Sequence, residues 1–142
     1  MTYLLKRFRY NQDGASAVEF ALIAPVMIVM LLGLLDYAIG AFHSMELESA
    51  ARSGAQYAML DSSDTSVIQT TVENSTNLDT DNLTVTITEY CECSDGSTVA
   101  CAGSCGTGDV RGYMEILATY AHTPIFLPGT MTLTGDSTIR TR

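Results

Sequence analysis

The chain opens polar and basic, then runs almost wholly apolar from Gly14 to Leu35, GASAVEFALIAPVMIVMLLGLL. One carboxylate, Glu19, stands near the start of that run, and Phe20 to Leu35 carries no charge. A transmembrane helix needs roughly 20 mostly apolar residues, so the run predicts a membrane anchor. Past Leu35 the pattern turns amphipathic. Phe42, Met45, Ala50, Ala51, Ala55, Ala58 and Met59 alternate with Glu46, Glu48, Arg52 and Gln56 at helical spacing. Together they read as one long helix over residues 15 to about 60, transmembrane to about 37. Pro25 removes one backbone bond inside it, which membrane helices tolerate. Ser16 is placed to cap the helix, with Glu19 at capping-box spacing.

Asp61-Ser62-Ser63-Asp64 closes this helix, and residues 65 to 77 predict a second, weaker one. Leu83 to Thr88 alternates with period two and is rich in β-branched residues, the clearest strand in the chain. Tyr113 to His122 reads as a second strand. Thr123-Pro124 and Leu127-Pro128-Gly129 mark a connection. Met131 to Thr134 and Ser137 to Thr141 give a last strand, whole or broken at Gly135-Asp136. The fold class is therefore α+β: a long N-terminal membrane-spanning helix, then a small head over 61–142 with a short antiparallel sheet packed on the emerging helix. Gly40, Ala41, Ser44, Ala51, Gly54, Ala55 and Ala58 allow close approach, either to the head or to neighbouring copies.

A head of about eighty residues is marginal on apolar burial alone and often needs a staple. All four cysteines, Cys91, Cys93, Cys101 and Cys105, lie in it. Charge says which compartment they meet. The net charge is −9, yet residues 1–14 hold Lys6, Arg7 and Arg9 against Asp13. A basic flank before a first span belongs in the cytoplasm, which puts the acidic head across the membrane, where an even cysteine count reads as disulfides. Cys91-x-Cys93 is tighter than the usual paired zinc ligands. A direct Cys91–Cys93 bond is strained, which favours each bridging to Cys101 or Cys105 and leaves the pairing open.

The acidic head argues against a nucleic-acid partner, since phosphate contacts need positive charge. No phosphate loop, Ser-His-Asp set or metal-hydrolase pattern occurs, and His43 and His122 stand far apart without a ligand at motif spacing. No catalytic, cofactor or metal site is expected, and the chain reads as non-enzymatic. Asp36 is read as lying at the headgroup level. Ordinary signal-peptide cleavage before Ala41, after Ala38-Ile39-Gly40, is disfavoured because Asp36 and Tyr37 separate that site from the apolar core.

Gly14, the small residues Ala15 to Ala17, Glu19 and the apolar helix together resemble a type IV prepilin-like leader. More closely, RFRYNQDGASAVEFALIAPVMIVMLLGLLDYA, residues 7–38, resembles the TadE-like pseudopilins of tight-adherence (Flp-type) pilus systems. Tyr10 departs from that pattern without disturbing the cleavage dipeptide. The resemblance implies a pilin-like fold, a cytoplasmic leader over 1–14 and cutting between Gly14 and Ala15 by a prepilin peptidase. It implies a minor pseudopilin whose partners are other pseudopilins and pilin, the inner-membrane assembly platform and the lipid bilayer. It places the chain in a bacterial inner membrane as a single-pass protein, head in the periplasm, with incorporation into the pilus as a further step. Glu19 would neutralise the new amino group of Ala15, in its own chain or a neighbour's; an unpaired carboxylate at the membrane edge is otherwise costly. The alternative is a membrane-anchored periplasmic binding or sensing module with an uncut anchor.

Overall fold

The computed structural model describes residues 15–106 and 108–141. Residues 1–14, the expected leader with Gly14 in it, lie outside the described residues. Helix α1 runs Ala15–Ala58 and continues through Pro25. Ser16 and Glu19 both lie within the described part of this helix. Helix α2, Thr65–Asn74, stops short of the predicted end, with Ser75 as its C-cap. Asp64 is its N-cap and accepts from the Ser66 and Val67 N–H groups, filling donors that a helix start leaves orphaned. A 3-10 turn, Thr80–Asn82, leads into the sheet.

Strands β1 (Leu83–Cys93), β2 (Thr98–Val99), β3 (Val110–His122) and β4 (Met131–Arg140) form one antiparallel sheet ordered β2-β1-β3-β4. Strand β1 extends past the alternating Leu83–Thr88 segment because Glu89 to Cys93 pair with Met114 to Val110 of β3. Strand β4 is unbroken. Gly135 pairs with Ala118 inside the ladder, and its missing side chain makes room for α1 rather than ending the strand.

The inner face of the sheet carries Val85, Ile87, Met114, Ile116, Ala118, Leu133 and Ile139 onto Leu47, Ala50, Ala51 and Ala55 of α1 and Ile68 and Val72 of α2. Gly54 is where α2 meets α1: a Cβ there would collide with Val72. Gly40 faces His122, the Leu47–Glu48 backbone faces Gly135, and Gly54 lies near Ile116. From Gly40 to Gly54 the helix rises roughly 21 Å; from His122 to Ile116 the strand spans roughly 20 Å. Helix and strands therefore run nearly aligned. The outer face presents Thr84, Thr86 and Thr88 to solvent.

Disulfides join Cys91 to Cys101 and Cys93 to Cys105. They gather at the β2 end of the sheet, the end away from the β3–β4 loop and the apolar half of α1. Glu46 ties α1 to the chain after α2: its Oε1 accepts from the Asn77 N–H at 2.7 Å and from the Thr76 hydroxyl at 3.1 Å.

Candidate functional site

The apolar half of α1 extends from the head. It is long and apolar enough to cross a membrane, and its most apolar stretch is not buried by any other part of the chain. Phe20, Leu22, Val29, Met30 and Leu34 all stand exposed. Surfaces of this extent on a folded chain mark a membrane or a partner. Ala15 is the first described helical residue, and Glu19 is exposed one turn further on. Of the expected cleavage pair, only Ala15 lies within the described residues.

At the end of the apolar run the structure adds to the sequence reading. Asp36 is buried within the chain, 2% exposed. Its Oδ1 accepts from the Ile125 N–H at 3.0 Å, and its Oδ2 from the Phe126 and Leu127 N–H groups, both at 2.8 Å. The β3–β4 loop is thus fastened to the helix where the apolar run ends. Burial of a carboxylate is costly unless hydrogen bonds replace water, and three backbone donors supply them.

One turn or two further along, two residues distant in sequence meet. The rings of His43 and His122 lie edge to face with centroids 5.0 Å apart, and Tyr120 lies edge-on to His43 at 5.9 Å. His43 Nδ1 and His122 Nε2 are buried without a hydrogen-bond partner among the described residues. Sequence spacing gave no hint of this pair, since only the β3 register and the α1 contact bring the rings together. Among the described residues, no group of three or more His, Cys, Asp or Glu side chains could hold a metal ion.

The small residues of α1 divide between two fates. Gly40, Ala51, Gly54, Ala55 and Ala58 are buried against the head, whereas Ala41 stays exposed. Ala41 and Ser44 line a shallow groove with Tyr37, Met131 and Leu133, along the edge strand β4.

This exposed apolar helix, with one glutamate near the start of its described part, matches a known family. The family model described as TadE-like protein covers residues 14–56. Over that segment the chain is similar to TadE-like proteins. The TadE-like match begins at Gly14 and ends at Gln56, so it covers nearly all of α1 and stops before α2 and the sheet. It supports a component associated with the Tad pilus, and the single N-terminal apolar helix fits a membrane anchor. No curated protein and no solved structure matches the chain significantly.

Proposed function

We propose that this chain is a minor pseudopilin, a structural or assembly component of a bacterial tight-adherence pilus. A prepilin peptidase cuts it between Gly14 and Ala15, on the cytoplasmic side of the inner membrane. The head, from about residue 61 on, lies in the periplasm. The observation that carries this reading is the TadE-like match over residues 14–56, on a helix whose most apolar stretch is left bare.

The chemistry is consistent with it. Cutting after Gly14 creates a positive amino group on Ala15. The Glu19 carboxylate, one helical turn on, is a partner for that amine or for a neighbouring subunit's. The bare apolar half of α1 lies in lipid before assembly and against other pseudopilins and pilin after it. An inner-membrane assembly platform would draw the subunit from one setting to the other.

The test is the N-terminus and intact mass of the chain isolated from membranes of cells with the whole pilus machinery. A start at Ala15 supports the reading. A start at Met1 favours an anchored periplasmic binding or sensing module with an uncut anchor, and a start at Ala41 means a released head; either overturns it.

A further inference from the structure

We infer that the β3–β4 loop, residues 123–130, is a second membrane contact, whose Ile125-Phe126-Leu127 tip enters the bilayer interface on the head side. The inference rests on α1 crossing the membrane.

The loop's depth is fixed by Asp36. That residue directly follows the charge-free run Phe20–Leu35, and it holds the loop by three backbone bonds. A loop bonded at this level lies where the span meets the headgroups, beside the exposed Tyr37, a residue type enriched at that boundary.

The tip has the surface of an inserted segment. Ile125, Phe126 and Leu127 are 70%, 50% and 47% exposed, three large apolar side chains in a row. No Asp, Glu, Lys or Arg occurs between Glu115 and Asp136. A single exposed apolar residue needs no explanation, but a contiguous patch joined to the apolar helix does.

The backbone is the strongest argument. Unsatisfied backbone N–H and C=O groups are what normally keep irregular loops out of the hydrocarbon core; at the interface the carbonyls still meet water and headgroups. In Pro124-Ile125-Phe126-Leu127-Pro128 the two prolines have no N–H. The remaining three N–H groups all donate to Asp36. The segment therefore presents apolar side chains with no free backbone donor. The same bonds neutralise the desolvation cost of the carboxylate. A bilayer, continuous with the apolar helix next to it, is the occupant that matches both features.

The experiment uses the full chain alone in vesicles of phosphatidylethanolamine and phosphatidylglycerol. The four native cysteines are all in disulfides, so one added thiol takes an environment-sensitive fluorophore. Variants Phe126→Cys, Met30→Cys and Thr86→Cys are compared with lipids brominated either near the carbonyls or deep in the acyl chains. Expected is loss of fluorescence at position 126 with the shallow bromolipid, at 30 with the deep one, and at 86 with neither. Loss at 30 with position 126 as bright as 86 overturns the loop contact and leaves the anchor standing, handing the apolar tip to a protein partner. No loss at 30 overturns both. If Phe126→Cys does not fold, Ile125→Cys is read the same way.

Discussion

Gly135 of β4 lies directly against the main chain of Glu48 in α1: a Cβ on this glycine would overlap the Glu48 nitrogen and the Leu47 carbonyl carbon. Backbone atoms cannot move aside as a flexible side chain can. Gly135→Ala must therefore push helix and sheet apart, at an expected cost of about 1–3 kcal/mol, the range for overpacked cores. Gly33→Ala is the contrast, because nothing lies within 4 Å of its added methyl. Thermal unfolding of both variants in the same detergent should show a clear fall in Tm for the first and none for the second.

Central burial makes a second prediction. Ile116 on β3 is fully buried between the two helices and the neighbouring strands. Ile116→Ala should cost about 2–5 kcal/mol. Thr86→Ala, on the solvent face of the same sheet opposite Leu117, should change stability by less than about 0.5 kcal/mol. Denaturant titrations of the two would separate them; equal losses would contradict the assigned inner face.

The disulfides give a third. Peptide mapping without reductant should recover Cys91 with Cys101 and Cys93 with Cys105, not the crossed pairs. Replacing Cys93 and Cys105 together by serine should cost about 2–4 kcal/mol, since the bridge closes a loop in a small head. The loss should appear as lower resistance of the head to protease, with α1 still helical.

Acid should loosen the tie between α1 and the segment after α2. The Asn77 N–H, with lesser help from the Thr76 and Asn77 side chains, holds the Glu46 carboxyl below the usual carboxylate range, against the opposing pull of partial burial. A carboxyl whose folded pKa is depressed binds protons more readily unfolded, so its contribution is complete above the ordinary glutamate value of about 4.3 and is lost as pH falls through the folded value. Tm should fall with acidification over that window, and less steeply in Glu46→Gln. A parallel acid slope in the variant would remove Glu46 from the account.

Glu19→Ala should abolish or sharply reduce pilus assembly while the chain still reaches the membrane, scored by filament counts against membrane-fraction immunoblots. Normal filaments would remove the amine-pairing role proposed for Glu19.

The long helix was legible because an unbroken apolar run followed by amphipathic spacing has no other economical reading. The strands were legible where β-branched residues alternate, as in Leu83 to Thr88. What escaped depends on contacts between distant segments. Asp36 reads as a boundary carboxylate until the β3–β4 loop folds back onto it, some ninety positions away. His43 and His122 look unrelated until the sheet register brings them together. Gly135 carries the breaker signal of any glycine in a strand, and only the helix lying over it reveals a packing position. The extension of β1 to Cys93 is set by its pairing with β3 and not by its own composition.

The near alignment of α1 with β3 and β4 has a mechanical consequence. A pull along the helix axis loads the contact from Gly40 to Gly54 in shear. Leu47 against Gly135 and Gly54 against Val72 must then slide together, whereas a helix crossing the strands would be peeled free one contact at a time. The helix can serve as a handle: force applied at its apolar end is shared along the whole contact, and the head follows without first coming apart.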